Sequence, residues 1–131
     1  MADFAIALKS WLKADAELAA LTTELHWVSV PQAKAPPYIR LQTINDPRPQ
    51  HLKAYDAMRV SRVQVDCFAK SWGLSRAIAE AIVNATAQPA THGGFQFGKV
   101  QATGPKDLGE VKGTDFIFRA SLDLLVAHKS I

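Results

Sequence analysis

The sequence predicts an α+β fold: a mostly antiparallel sheet of four to five strands, with two main helices packed on one face. Three observations predict it. The elements read in the order helix, strand, strand, strand, helix, strand, strand. The stretch "RVQVDCFAKSW" (62–72) alternates apolar and polar residues, the period of a half-buried strand. Two other stretches repeat their apolar residues at helical spacing instead.

Phe4, Leu8, Trp11 and Leu12 fall at i, i+4, i+7 and i+8, one face of an amphipathic helix. Asp15 is placed to cap a second short turn carrying Leu18 and Leu21, because its carboxylate can accept from free N–H groups at a helix start. "LHWVSV" (25–30) reads as a short strand, and "PQAKAPP" (31–37) as a linker whose prolines disfavour helix and central strand. "YIRLQTI" (38–44) alternates, with Ile39, Leu41 and Thr43 opposing Tyr38, Arg40, Gln42 and Ile44. "NDPRPQHLKAYDA" (45–57) is a polar loop too long for a tight turn, expected to be exposed. A strand over 58–69 follows.

Ser71 is the expected cap of a helix over 72–87, in which Leu74, Ile78 and Ile82 repeat every four residues. Arg76 and Glu80 are spaced to pair on its outer side. "QPATHGG" (88–94) ends that helix, strands are expected over 95–103 and 115–127, and "GPKDLGEVKG" between them reads as a glycine-rich loop. No internal repeat or linker divides the 131 residues, so a single domain over 1–131 is expected.

Composition narrows the function classes. A net charge of +3 is too small to argue by itself for nucleic acid. The lone cysteine excludes an intrachain disulfide framework. No apolar run approaches the ~20 residues of a membrane-spanning helix. The interrupted periodicity of the first eighteen residues is not that of a signal peptide, so export by that route is not expected.

Candidate chemistry is sparse. Cys67 shares strand parity with Val63 and Val65 and is expected to point into the core, away from Asp66. His26, His51, His92 and His128 form no metal-ligand spacing and read as surface or tolerated histidines. No phosphate-binding glycine motif or nucleophile-elbow motif occurs. No catalytic residue, metal or cofactor is expected. Parity places Arg40, Gln42, Arg62, Gln64, Asp66, Arg119 and Asp123 on the outer sheet face, with mixed charge. That face reads either as a solvated surface or as a subunit or lumen face. On the last strand Phe116, Phe118, Ala120, Leu122 and Leu124 form the expected inner set, opposed by Ile117, Arg119, Ser121 and Asp123. The two long loops add Arg48, His51 and Lys53, and Lys106, Asp107, Glu110 and Lys112, as candidate assembly residues. A small basic nucleic-acid-binding module and a small enzyme remain as alternatives.

Four stretches taken in order carry a resemblance: "ALKSWLKADAELAAL", "HWVSVPQAKAPPYIRLQ", "SRVQVDCFAKSWGLSRAIAEAIVNA" and "DFIFRASLDLLVAH". Together they resemble the tail-completion (head–tail joining, or tail-terminator) proteins of long-tailed phages and prophages, across nearly the whole chain. The resemblance implies a small non-enzymatic subunit that assembles into a ring, commonly a hexamer, at the end of the tail tube. Its implied partners are other copies of itself, the major tail tube protein and the head–tail connector, with DNA only as passing cargo and no membrane. Its implied place is the virion, at the head–tail junction, after assembly in the cytoplasm of a bacterial host. A gene transfer agent is an equally fitting source.

Overall fold

The computed structural model describes residues 3–31, 35–46 and 59–130. Helix α1 (Phe4–Lys13) starts where the Asp3 carboxylate accepts from the Ala5 N–H at 3.0 Å. Helix α2 (Ala16–Leu21) starts on Asp15, which accepts from the Leu18 N–H at 2.9 Å, as its position predicts. Helix α3 (Trp72–Ala85) starts on Ser71, whose hydroxyl accepts from the Leu74 N–H at 3.2 Å. Arg76, spaced to pair with Glu80, pairs with Asp107 at 3.0 Å.

The described residues form seven strands, β1 (Leu25–Trp27), β2 (Tyr38–Asn45), β3 (Arg59–Ala69), β4 (Ala90–His92), β5 (Phe95–Phe97), β6 (Gln101–Lys112) and β7 (Asp115–Ser130). They form one sheet in the order β1-β2-β3-β7-β5-β4, with β6 also paired to β7. Among the described residues only β1 and β2 run parallel; every other pairing is antiparallel. The expected class therefore stands, but four to five strands was too few. Strand β7 explains the difference. One of its edges takes β3, from Phe118 to His128, while the other takes β6 first, from Asp115 to Leu125, and β5 after that.

Two local misreadings account for the extra strands. The expected loop 104–114 is mostly β6, so Lys106, Asp107, Glu110 and Lys112 lie in a strand and not in a loop. The glycine and proline that suggested a loop sit at a register shift between Thr103 and Lys106. Bulges and edge strands are where sheets accept such residues. Gly104 has φ +108, and an added Cβ would stand 2.9 Å from the Ser121 carbonyl oxygen, so glycine is required there. The second misreading is the helix-ending 88–94 segment, which contains β4 and the turn into β5. Gly93 and Gly94 have φ +58 and +80, the doubly left-handed backbone of a tight hairpin.

The helices cover one face. A single core cluster joins Phe4, Leu8, Trp11, Leu12, Leu18, Ile78 and Ile82 to the inward residues of the sheet. Those include Ile39, Leu41, Val63, Val65, Cys67, Ala120, Leu122, Leu124 and Val126. Trp11 stacks on Phe97 at 4.8 Å, which pins β5 under α1. The inner set read on the last strand is correct in parity but starts too early. Phe116 is 48% exposed, because β3 ends opposite Phe118 and the hairpin runs on beyond it.

Candidate functional site

Strand parity puts Cys67 inside the core, fully buried, as expected. Burial first, and the charge of Asp66 second, push its thiol far above the ordinary range. The thiol is therefore neutral, and a neutral buried thiol is a poor nucleophile. Iodoacetamide at neutral pH is expected to leave the native protein unlabelled and to label it fully in denaturant. Native labelling at the rate of a free thiol would show that the site opens.

The outer face is built by register. Arg40 lies opposite Asp66, and Asp66 lies opposite Ser121, so the carboxylate sits in the middle of three strands. Arg40 donates to Asp66 at 2.9 Å. The Arg119 Nε stands 3.1 Å from the other carboxylate oxygen, close enough for an ion pair but without aligned hydrogen-bond geometry. Gln64 donates to both oxygens at 3.2–3.3 Å. Both guanidiniums lie over the Phe68 ring, 5.4 and 5.9 Å from its centre. Asp66 is only 1% exposed in its side chain, so this part of the face is not the solvated surface that charge alone suggests. Two cations share one buried carboxylate.

Beside them Tyr38, Phe68 and Ile117 make a second small cluster on the outer face, with Val30 packed against it. Ile117 was expected to face outward. It does, but this cluster buries it. A cleft of 320 Å³ opens next to the cluster, bordered by Val28, Val30, Tyr38, Arg40, Phe68 and Glu110. Burial, and then Glu110, raise the Tyr38 hydroxyl above its ordinary range, with Arg40 opposing. Further along, Arg62 pairs with Asp123 at 2.9 Å in an exposed position. The seven expected face residues are thus brought to one surface, as two groups. Arg40, Gln64, Asp66 and Arg119 are knit together and partly covered. Gln42 is exposed beside Gln64, and Arg62 and Asp123 make an exposed pair.

The candidate assembly residues fare differently. Arg48, His51 and Lys53 lie outside the described residues. Asp107 is on the helix side of β6, where the Trp72 indole N–H and then Arg76 hold its carboxyl below the usual range. Lys106 and Glu110 alternate with it and belong to the outer side.

Of the two readings of the histidines, surface or tolerated, the surface one fails for His128. It is 1% exposed and stacks on Phe4 at 4.1 Å. The Ser61 hydroxyl donates to Asp46 at 2.6 Å and so has its lone pairs turned to His128 Nε2 at 2.8 Å. This assigns the Nε2 proton to the histidine. The order is carboxylate, hydroxyl, imidazole. In a nucleophilic relay the imidazole stands between the other two and takes the hydroxyl proton. Here the hydroxyl already spends its proton on the carboxylate. With Arg59 also bound to Asp46, the group ties β2, β3 and β7 together. Sequence reasoning missed it because Ser61 and His128 are 67 positions apart.

Among the described residues, no group of three histidine, cysteine or carboxylate side chains could hold a metal ion. Among the same residues no helix is long and apolar enough to cross a membrane.

Fold and surface together define a small α+β protein whose polar groups are spent on joining strands. The family model for tail completion protein gp17 matches residues 6–126, and the chain belongs to that family. It is a structural protein of virion tail assembly. A chain in the solved virion of a native gene transfer agent particle has a similar fold. The two align with a TM-score of 0.62 and 17% identity, over 94% of this chain and 92% of that one. A second solved chain aligns over 94% of this chain and 89% of its own, at 16% identity, but its TM-score of 0.45 carries no weight. No curated protein matches the chain.

Proposed function

We propose that this chain, as a single domain over 1–131, is a non-enzymatic ring subunit at the end of the tail tube. The ring terminates the tail and joins it to the head connector. The observation that carries this reading is the family match over residues 6–126. The fold shared with a chain of the gene transfer agent virion supports it. The partners are other copies of the chain, most fittingly six in all, the major tail tube protein and the head–tail connector protein. Assembly takes place in the cytoplasm of a bacterial host, and the finished subunit resides at the head–tail junction. The outer face, with Arg40, Gln42, Arg62, Gln64, Asp66, Arg119 and Asp123, and the segments holding Arg48, His51, Lys53, Lys106, Asp107, Glu110 and Lys112, meet neighbours or the passing DNA. A mixed-charge wall suits passing DNA, since many fixed cations would hold phosphate tightly.

Two observations weigh against the enzyme alternative. The Cys67 thiol is buried and neutral, and the Asp46–Ser61–His128 group has the wrong order for an activated hydroxyl. Electron microscopy of particles made without this protein is the test. Tails of uncontrolled length, or tails detached from filled heads, are the expected result. Normal tails joined to heads would overturn the reading.

A further inference from the structure

We infer that strand β6 of one copy adds, antiparallel, to the open edge of β2 (Gln42–Asn45) in the next copy. One sheet then runs from copy to copy. The inference rests on the ring reading above and names the contact that would build the ring.

The fold leaves an edge open at each margin of the sheet. β3 and β6 both pair with residues 118–125 of β7, so they lie on its opposite edges. β6 has β7 on one side and no described strand on the other. From Lys106 to Lys112 it pairs with β7 residue for residue, past the register shift at Gly104. Its residues from Gln101 to Val111 are exposed, apart from half-buried Pro105. At the other margin β1 covers only Ile39–Leu41 of β2. Gln42–Asn45 run beside β3 with no described strand on their other side, and all four are exposed.

A turn ends β1 where β2 still has four residues to run. The Val28 N–H donates to the Leu41 carbonyl at 2.7 Å. The Ser29 N–H then donates back to the Trp27 carbonyl at 2.7 Å, and Val28 between them has φ +67. This is a γ-turn centred on a β-branched residue in the left-handed region, a strained way to leave a strand. It turns the chain out of the ladder and leaves Val28 64% exposed beside the open edge. A strand edge offers N–H and C=O groups at fixed spacing, so what it binds is another extended chain.

Strand direction selects a second copy as that chain. β2 runs antiparallel to β3, β3 to β7 and β7 to β6. β2 and β6 therefore point opposite ways at the two margins of one sheet. Rotation about an axis along the strands keeps the direction of every strand and the side on which the helices lie. Copies related in this way bring β6 against the next β2 as an antiparallel pair, the pairing that β2, β3, β7 and β6 already use. Two different edges joined head to tail make a heterologous contact, which closes into a ring when the rotation permits. Closure leaves neither edge free. A pair of β6 strands about a two-fold axis would stop at two copies and leave β2 open.

The test uses assembled tails whose chain carries Gln42→Cys with, in turn, Lys106→Cys, Leu108→Cys or Glu110→Cys, and keeps the buried Cys67. By register all four positions belong to the outer face, and all are exposed. Within one chain β3 and β7 stand between β2 and β6, roughly 14 Å at strand spacing, so a disulfide must join two copies. Mild oxidation is expected to give a ladder of cross-linked multimers on a non-reducing gel for at least one of the three. Gln42→Cys with Val111→Cys is expected to give none, since Val111 is on the helix side. Leu108→Cys alone is expected to give no dimer. A ladder from the Val111 chain, or a dimer from Leu108→Cys alone, overturns the pairing. Hydrogen exchange of the unaltered protein is the second measurement. Exchange over Gln42–Asn45 and Lys106–Lys112 is expected to slow between the free chain and the tail. A ring at the tail end with no ladder from any of the three chains, or with exchange unchanged, overturns the edge contact and leaves the ring reading standing. If the unaltered protein forms no ring at the tail end, both fall together.

Discussion

Replacing Asp66 with alanine is expected to cost about 3 kcal/mol, the lower end of the usual loss when one partner of a buried ion pair is removed. The midpoint of urea unfolding reads it. The carboxylate is 1% exposed and takes both Arg40 and Arg119. Without it two guanidiniums face each other across a protein surface instead of across water. The arginines are themselves 32% and 28% exposed, so water screens part of that repulsion. The same logic predicts rescue. Arg40→Met and Arg119→Leu added to Asp66→Leu are expected to restore most of the stability, because apolar groups of similar volume often replace a buried ionic cluster at little cost. A loss below about 1 kcal/mol for Asp66→Ala would place the cluster among exposed ion pairs and sink the argument. Charge reversal at Asp66 is therefore a poor probe of assembly, since it would unfold the subunit first. Asp123, 38% exposed, is the better site.

Phe97→Ala is expected to lose about 3–5 kcal/mol, the usual range for a large aromatic removed from a core. Phe97 is fully buried, stacks on Trp11 at 4.8 Å and meets Phe95 at 6.4 Å. Strand β5 has only three residues, so Phe97 is a main anchor of α1 at that end of the sheet, beside the stacks of Trp11 on His92 and Phe4 on His128. Trp11 should gain solvent access, seen as a red shift of its emission in the native state. Phe97→Leu should lose much less, since it keeps most of the volume. An alanine variant with the unaltered unfolding midpoint would show that the site collapses freely around the gap.

Much of the fold was legible in the sequence, and the reasons are local. Asp15 and Ser71 cap helices through N–H groups three residues ahead. Val63, Val65 and Cys67 point inward because a strand repeats every two residues, whatever its neighbours. The hairpin at Gly93 and Gly94 is also written in the sequence, since paired glycines suit its left-handed turn, but glycines after a helix suit its end equally well. Strand β6 was harder. Gly104, Pro105 and Gly109 are loop residues by composition, and only pairing with β7 makes a strand of them.

The candidate surface divides in the same way. Its membership followed from strand parity, so Arg40, Arg62, Asp66, Arg119 and Asp123 share a face as read. Its character did not follow. Whether Asp66 is solvated or enclosed depends on Arg40 and Arg119, which reach it from two other strands. Whether Phe116 is core or surface depends on where β3 ends. Sequence by itself determined the main helices with the caps Asp15 and Ser71, the inward set of β3 and the family, because neighbours within a few residues and the order of motifs carry that information. Tertiary structure alone decided which strands flank β7, which cations share Asp66 and which apolar residues stay uncovered. Those outcomes are set by pairings between distant segments, and no local period records them.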